Sequence, residues 1–450
     1  MRGRSIDLRW LVIPLVGLTI GLGYFVEQSD FYPLIGQYGI FFSLYLAICH
    51  FTKDRKKILF FVFVGILLRL ILVFSLPNLS DDVYRFIWDG RLLIQGHNPF
   101  DYLPSYYVEN QIPIKGINEA LFEKLNSPEY FTIYPPVAQG VFAIACWLFP
   151  NSIIGSAITM KLFLFGCEIG SLFFIKKLLE HFELPLKNIL LYALNPLIII
   201  ELCGNLHFEA AMIFFLLAGI FFMVKKENLV ASAVMVALSV ASKLLPLMFL
   251  PFFIKRLGWK KSVQYFFVIG FVIVLLFVPL LSGVFLNNFG KSLDLYFQKF
   301  EFNASIYYLS REFGYYWVGY NWIQRIGPFL ALLVLLGILS MAFFEKNWTW
   351  KSLFQKMLFA ICLYLALATI VHPWYVSLPV VLCLFTRFRF PILWSGLVFL
   401  TYVNYSYSEY FENLWMVGVE YGLVFGFFIY EVWRIVLPRR LKDTKNFSKT

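Results

Sequence analysis

The sequence predicts an all-α polytopic membrane helix bundle, and three of its features indicate this class. Of the 450 residues, 60% are hydrophobic and 14% are charged, and the mean hydropathy is +0.73. A soluble domain carries roughly 25% charged residues and about half apolar ones, so the apolar excess is too large for one soluble core. The third feature is that the apolar residues form runs that approach the roughly 20 residues of a membrane span. These features exclude a secreted enzyme, a cytosolic nucleotide-binding domain and a disordered scaffold.

The apolar runs predict about 13–14 transmembrane helices in a single integral-membrane domain over residues 1–450. Several runs are shorter than a full span, and the first is expected to be an uncleaved helix because it lacks a small-residue cleavage site. The runs lie at approximately 10–26, 32–49, 58–76, 153–175, 189–203, 210–224, 229–242, 245–254, 263–281, 328–344, 354–370, 374–386, 390–406 and 413–436.

The positions of the basic residues predict the orientation of the bundle. The net charge is +11, and most Lys and Arg residues fall in loops on one side when the apolar runs are counted as crossings. Because cytoplasmic loops carry an excess of Lys and Arg, this side is predicted to be cytoplasmic, and no nucleic-acid partner is expected. The run 137–149 is short for a span, and we expect it to be a short helix packed against the outer half of the bundle.

Two long non-apolar stretches, 77–134 and 282–326, fall on the outer side. Both are rich in aromatic residues, as in the sequence FGYYWVGYNW of the second stretch. Aromatic loops beside a membrane bundle are typical of structured caps with interfacial helices. We therefore predict two structured outer loops.

The first outer loop opens with a cluster of charged residues, SDDVYRFIWDGR. A helix that begins near Ser80 as its N-cap would place Asp82, Arg85 and Asp89 on one face, with Asp81 and Asp82 at the helix terminus that favours carboxylates. One interpretation is a capped interfacial helix with surface charges. The other is a general base beside an anion-pairing arginine at the outer membrane face.

A second polar cluster, Asn205-Leu206-His207-Phe208-Glu209, joins two apolar runs on the outer side. His207 and Glu209 have the chemistry to orient a substrate hydroxyl or a phosphate, or to bind a divalent ion. A short polar turn between two helices explains the same residues almost as well.

The third and fourth clusters also fall on the outer side. Lys243 interrupts an apolar segment just before Pro246, and a lysine at a helix break is suited to pair with a phosphate, although a lysine that snorkels at a helix end is an even alternative. The fourth cluster is His372-Pro373-Trp374-Tyr375. Arg69, within an apolar run, and Arg325, before one, each require an anionic partner.

All four clusters are predicted to meet in one water-accessible pocket at the outer rim of the bundle. Asp81, Asp82, His207, Lys243 and His372 form this predicted pocket. The sequence contains no glycine-rich or phosphate-loop nucleotide motif, and no zinc-protease or serine-hydrolase motif. A donor that is delivered within the membrane is consistent with this absence.

The sequence resembles the GT-C glycosyltransferases, polytopic enzymes that use lipid-phosphate-linked sugars. More narrowly, it is similar to the bacterial mannosyltransferase-like group related to glycosyltransferase family 87 and to the GPI-anchor mannosyltransferase. The motifs occur in family order and cover most of the chain. They are SDDVYRFIWDGRLLIQGHNPF (80–100), YPPVAQ (134–139), NPL…GNLHFEA (195–210), SKLLPLMFLP (242–251), FNASIYYLSR (302–311) and HPWY (372–375).

The resemblance implies a GT-C type fold and transfer of a hexosyl residue, with mannose favoured, from a polyprenyl-phosphate donor to a lipid or glycan acceptor. It implies inversion at the sugar with Asp81 or Asp82 as the general base, and the sequence does not say which. The family more often has Asp at the position of Glu209, so metal binding there is left open and no other cofactor is expected. The implied site would be on the outer, periplasmic face of a bacterial inner membrane.

The resemblance and the charge pattern together assign the remaining site residues. Tyr134 with the two prolines after it is expected to shape a lipid groove. The residues expected to bind the donor phosphate are Arg85, Lys243, Arg91 and Arg325. The residues expected to contact the substrates are Asn205, His207, Glu209, His372, Trp374, Tyr375, Tyr134, Trp88 and Asn303.

A lipid flippase or secondary transporter is the main alternative, since it also has broken helices and buried charge. The sequence has no repeat between its halves, and its polar clusters lie at one face rather than at the midplane, which favours the enzyme. An O-antigen-type ligase or polymerase would be expected to carry its catalytic residues in a late loop instead of the first one.

Overall fold

Each predicted apolar run is helical in the computed structural model, which describes residues 7–298, 300–407 and 411–447. The first three helices are α1 (Val12–Tyr24), α2 (Phe31–Phe51) and α3 (Arg55–Val73). The first outer loop and the segment after it contain α4 (Asp82–Leu93), α5 (Pro104–Glu109), α6 (Glu119–Phe122) and α7 (Pro136–Leu148). The next helices are α8 (Ile153–His181), α9 (Leu190–Ala193), α10 (Glu209–Lys226), α11 (Leu229–Ser242), α12 (Pro251–Leu257) and α13 (Trp259–Phe277).

The second outer loop contains α14 (Phe285–Gln298) and α15 (Ile306–Val318). The remaining helices are α16 (Ile323–Phe343), α17 (Trp350–Leu367), α18 (Ser377–Cys383), α19 (Phe390–Leu397) and α20 (Leu414–Phe447). Short 3-10 segments lie at Leu8–Leu11, Leu186–Ile189, Leu245–Phe249, Val278–Leu280, Pro373–Val376 and Val398–Tyr405, and a π-helix lies at Ile198–Gly204. The predicted all-α polytopic bundle with helical outer loops is therefore confirmed.

Six helices in the described part of the chain are long and apolar enough to cross a membrane, or up to seven if one bent pair counts as a span. The six are α2, α8, α13, α16, α17 and α20. Other apolar runs form shorter or interrupted helices, while α3 and α10 are 19 and 18 residues long and carry several charged residues. The predicted count of 13–14 crossings stays a prediction.

The bent pair shows how proline interrupts a span. The segments Leu186–Ala193 and Ile198–Gly204 meet at 56°, and Pro196 lies between them, where it removes a backbone donor. Asn195 accepts a hydrogen bond from the Leu197 amide and donates one to Ser395. The polar atoms exposed by the break are thus satisfied within the bundle.

Arg69 has the anionic partner that the sequence requires. Its Nε lies 2.8 Å from Glu168 Oε2, and both side chains are fully buried. The guanidinium also donates to the carbonyl oxygens of Gly65, Ala193 and Tyr192. A side chain at Gly65 would place its Cβ 2.3 Å from the Ala193 oxygen, so this glycine allows α3 to approach α9 and the arginine to bridge them.

The two outer loops pack on each other. Asn98 of the first loop donates to the Leu280 carbonyl at 2.7 Å, and Asn288 of the second donates to the Phe100 carbonyl at 2.9 Å. Helix α7 covers all but the last residue of the 137–149 segment predicted to be a short helix. It is 13 residues long and packs against α4 and α8. The loops and α7 therefore form one cap, and this cap positions the site.

Candidate functional site

A polar cavity of about 550 Å³ lies where the two outer loops meet the helix breaks near Lys243 and His372. It is lined by eight of the predicted site residues: Asp81, Asp82, Arg85, Tyr134, Lys243, His372, Trp374 and Tyr375. Four of the five side chains predicted to share a pocket line this cavity. The fifth, His207, lies behind the wall.

The two aspartates occupy different environments at the start of α4. Asp82 accepts a hydrogen bond from Asn126 Nδ2 at 3.0 Å. Asp81 is at the N-cap position, one residue later than the predicted cap at Ser80, and makes no side-chain capping bond. Desolvation raises the pKa of the Asp81 carboxyl, and the neighbouring Asp82 charge raises it further. Among the described residues only Asp82 of the two accepts a side-chain hydrogen bond, so Asp81 has no such bond to give up before it accepts a proton.

Arg85 lines the cavity, but its guanidinium is held by the protein. Its Nε lies 3.0 Å from Asp89 Oδ1, and its Nη1 donates to the carbonyl oxygens of Ser127 and Tyr130. Gln139 donates to the other Asp89 oxygen. Of the three residues predicted to share one face of the helix, Arg85 pairs with Asp89, and its bonds to Ser127 and Tyr130 fix the loop segment that forms one wall.

Lys243 lies at the C-terminal end of α11, where the backbone becomes extended. Its Nζ lies 3.2 Å from Glu209 Oε1 and 5.6 Å from the ring centroid of Tyr134. Glu209 is fully buried at the start of α10, whereas the Lys243 side chain keeps 19% exposure. The Lys243 ammonium is therefore available to the cavity, and the Glu209 carboxylate that balances its charge is buried in the protein.

A stack of rings joins the His372 segment to the buried 205–209 turn. The Trp374 ring lies between His372, at a centroid distance of 4.4 Å, and His207, at 3.7 Å. Nε2 of His207 is 3.2 Å from Glu201 Oε2, and Glu201 also accepts from Tyr402 and Asn205. His207 therefore supports the aromatic wall from the inside of the bundle, which agrees with the structural alternative for this cluster.

His372 presents a neutral imidazole to the cavity. Burial lowers the pKa of His372 to about 3; the charge of Asp82 opposes this shift, and the charge of Lys243 adds to it. Its Nδ1 is buried with no hydrogen-bond partner among the described residues. A neutral ring with an unfilled polar atom at a cavity wall is suited to contact a hydroxyl group of a ligand.

The second outer loop is joined to the His372 segment by a parallel bridge between Phe302 and Ile370. The Phe302 amide donates to the Thr369 carbonyl at 3.0 Å, and the Val371 amide donates to the Phe302 carbonyl at 2.8 Å. Phe302 and Ile370 both line the cavity. This bridge makes the loop and the segment before His372 a continuous wall.

Four predicted site residues lie away from the polar cavity. Trp88 is fully buried and packs on the Tyr107 and Phe122 rings, and Arg91 is buried and donates to the Gly116 carbonyl. Arg325 is exposed in the first turn of α16. Asn303 is buried and donates to Glu420. Arg91 and Arg325 thus do not line the cavity that Lys243 lines, and their role in binding the donor phosphate stays a prediction.

Three other predictions concern Asn205, the two prolines after Tyr134, and metal binding. Asn205 is buried and accepts a hydrogen bond from the Leu79 amide, so it fixes the chain just before the aspartates. Pro135 and Pro136 start α7 and do not line an apolar cavity among those described, although Tyr134 lines the polar one. Within the described residues no group of three or more His, Cys, Asp or Glu side chains could hold a metal ion. A divalent metal stays a prediction.

The sequence reasoning missed two carboxylates near the site. Glu201 lies inside an apolar run, and a charged residue in such a run is a sequence signal for a buried functional or structural role. Glu301 lines the cavity, accepts from Tyr307 and Asn321, and pairs with Arg311 at 2.7 Å. It precedes the motif at 302–311 by one residue and gave no separate signal.

Comparison with known protein families matches part of the chain. Residues 42–257 match a family described as alpha-(1->6)-mannopyranosyltransferase, N-terminal domain. This segment contains both aspartates, the 205–209 turn and Lys243. No curated protein and no solved structure matches the chain.

Proposed function

We infer from the match of residues 42–257 that the chain is a membrane mannosyltransferase of the bacterial mannosyltransferase-like GT-C group. We propose further that it transfers mannose from a polyprenyl-phosphate donor to a lipid or glycan acceptor, with its site on the periplasmic face. The observation that carries this proposal is the presence of an acidic base and a directed cation in one cavity, Asp81 and Lys243.

Asp81 is the proposed general base. A base acts best when its pKa approaches the working pH, and the pKa of Asp81 is raised towards that range. Asp81 takes the proton from the acceptor hydroxyl, whose oxygen attacks the anomeric carbon of the donor. Asp82 keeps its bond to Asn126 and supports the raised pKa through its charge.

Lys243 is the proposed partner of the leaving group. As the bond from the anomeric carbon to the phosphate oxygen breaks, the electron pair moves to that oxygen, which gains negative charge near the ammonium. Fixed charges aimed at developing charge often supply the largest catalytic effect. Glu209 lies 3.2 Å from the ammonium and holds it in place. A single displacement of this kind inverts the anomeric configuration and requires no protein nucleophile.

The aromatic lining is suited to bind sugar rings. Tyr134, Trp374 and Tyr375 line the cavity, and aromatic side chains offer flat apolar faces with few rotatable bonds. Trp374 is held between two histidine rings. Its face is therefore oriented before the substrate arrives.

A second cavity supports a donor carried on a lipid. This apolar cavity of about 270 Å³ lies between α16, α17 and the 247–251 segment, and it shares Ile370 and Tyr375 with the polar cavity. Its wall residues Leu247 and Leu335 are 42% and 53% exposed on the outside of the bundle. A prenyl chain in this cavity would place its phosphate next to the polar one.

The test is reconstitution of the full chain with radiolabelled polyprenyl-phosphate mannose and candidate acceptors. We expect Asp81→Asn to lower transfer by at least about a hundredfold, the lower range of acid–base effects, and Asp82→Asn to lower it less. Glu109→Gln, an exposed carboxylate of the first loop, is the matched control.

Two outcomes contradict the proposal. The base assignment fails if neither aspartate variant reaches a hundredfold loss while Glu109→Gln stays at the wild-type rate. Movement of the labelled lipid across the bilayer without any transfer product would show that the protein is a flippase and not a transferase.

A further inference from the structure

A third cavity of about 1390 Å³ lies among the ends of α2, α9, α19 and α20. Its lining combines apolar side chains, such as Leu46 and Leu393, with the basic residues Lys53, Lys187 and Arg389. We call it the basic cavity. It is larger than typical small-molecule pockets of roughly 300–1,000 Å³.

The basic cavity lies at the opposite end of the bundle from the polar cavity. Helix α2 begins at Phe31, three residues after Gln28, which lines the polar cavity, and it ends at Phe51, which lines the basic one. Its 21 residues span about 30 Å, the thickness of the hydrocarbon core. The chain between Arg389, which lines the basic cavity, and Tyr405, which lines the polar one, connects the same two ends in the opposite direction. The basic cavity is thus at the level of the other leaflet.

The cations of this cavity are available to a ligand. Lys53 and Lys187 are exposed, and neither has a salt bridge within the described part of the chain. Arg389 is held in place because its Nη1 donates to the carbonyl oxygens of Cys383, Thr386 and Phe388, and its other guanidinium nitrogens make no hydrogen bond to the described residues. No carboxylate in the described part of the chain lines the cavity.

Two nearby carboxylates have other roles. Glu431 accepts from the backbone amides of Arg389 and Phe390, and Asp54 caps α3 by accepting from the Lys57 amide. Both are occupied by helix N-termini, where negative charge is stabilised. The three charged side chains that line the cavity are therefore all cations.

We propose that the basic cavity binds an anionic phospholipid of the leaflet on the basic side, with Lys53, Lys187 and Arg389 at the headgroup phosphate and an acyl chain along the apolar wall. Basic pockets between membrane helices on this side are suited to anionic headgroups. The wall distinguishes a lipid from free phosphate: Leu46 is 42% exposed and Phe51 is 66% exposed, and both continue the cavity towards the bilayer. This site is separate from the proposed transfer reaction.

The experiment measures lipid binding by the delipidated full chain with native mass spectrometry. Dioleoyl phosphatidylglycerol and dioleoyl phosphatidylcholine are added in equal amounts, and inorganic phosphate is added as a competitor. We expect preferential retention of phosphatidylglycerol, no displacement by millimolar phosphate, and weaker retention of the dihexanoyl analogue. Equal retention of the two dioleoyl lipids overturns the proposal, as does displacement by phosphate, which would identify a simple anion site.

Variants test the residues. Lys53→Gln combined with Lys187→Gln should weaken phosphatidylglycerol binding by about thirtyfold, the effect expected for two basic residues near an anionic headgroup. The matched control is Lys225→Gln with Lys226→Gln, which removes two lysines from the last turn of α10, on the predicted basic side. Equal losses in both double variants would show nonspecific attraction and overturn the site.

The arginine pair Lys53→Arg with Lys187→Arg should keep the binding. If the glutamine variant does not fold, the comparison of lipids on the wild-type chain still decides the proposal.

Discussion

At one end of α2, acidic and basic side chains of the polar cavity face one another, whereas the charged side chains described in the lining of the basic cavity at the other end are all cations. In the polar cavity, Lys243 is paired with a buried carboxylate and Arg85 is held by three acceptors. In the basic cavity, Lys53 and Lys187 are exposed. Fixed charges suit a reaction that needs defined geometry, and loosely held cations suit a headgroup that varies in structure.

The largest expected effect is the loss of transfer on replacing Lys243, the lysine paired with a buried carboxylate. Lys243→Met should lower mannosyl transfer by about 10²–10³-fold, because the leaving phosphate loses its fixed cation. It also leaves Glu209 buried without its counter-charge, so the unfolding temperature should fall.

Two further variants sharpen this comparison. Adding Glu209→Gln to Lys243→Met should recover much of the stability and none of the transfer. Lys187→Met, the exposed lysine at the other end, should change the free energy of unfolding by no more than about 0.5 kcal/mol. Full transfer activity in Lys243→Met would contradict the difference between the two ends.

A smaller effect tests the support behind the polar cavity. Glu201→Gln keeps the shape of the side chain but removes a charged acceptor from Tyr402 and Asn205. We expect the free energy of unfolding to fall by about 1–3 kcal/mol, measured by denaturant unfolding in detergent. Glu180→Gln, on the partly exposed pair with Lys177, is the control and should have little effect.

The smallest effect is a shift in pH dependence. The base must be ionised, so transfer should fall as the pH decreases through the Asp81 pKa, which lies above the ordinary value of about 3.9 for aspartate. Asp82→Asn removes one cause of that raised pKa, and the acid limb should therefore move to lower pH.

His372→Gln provides the control for this shift. Because the lowered pKa of His372, about 3, keeps the ring neutral over the working range, the position of the limb should not change in this variant. If the acid limb moves in His372→Gln, the titrating group is not Asp81, and the assignment of the base is wrong.

Local signals in the sequence predicted most of the polar cavity. Asp81, Lys243 and His372 each lie at a polar interruption of an apolar run, and the side of the membrane follows from counting runs. The proximity of these three residues could therefore be predicted without coordinates. The same reasoning predicted the buried partner of Arg69, because an unpaired charge in a bundle is too costly.

The misplaced residues depend on packing that the pattern does not encode. Trp88 and Arg91 lie on the same helix as Asp82, but they face the rings and the turn of the first loop's own core. His207 follows Leu206, which has a φ of +66°, and this local turn keeps the imidazole behind Trp374. Arg325 remains at the surface because α16 begins two residues before it.

The bridge between Phe302 and Ile370 restricts how the site can open. Since two backbone hydrogen bonds join the second loop to the residues just before His372, that loop cannot swing outward like a hinged flap without carrying the histidine with it. Exchanging the loop for that of another enzyme would also disturb the ring stack. The acceptor preference of the proposed transfer reaction is therefore easier to change through side chains of the first loop that line the cavity, such as Asn126, than by replacing the whole second loop.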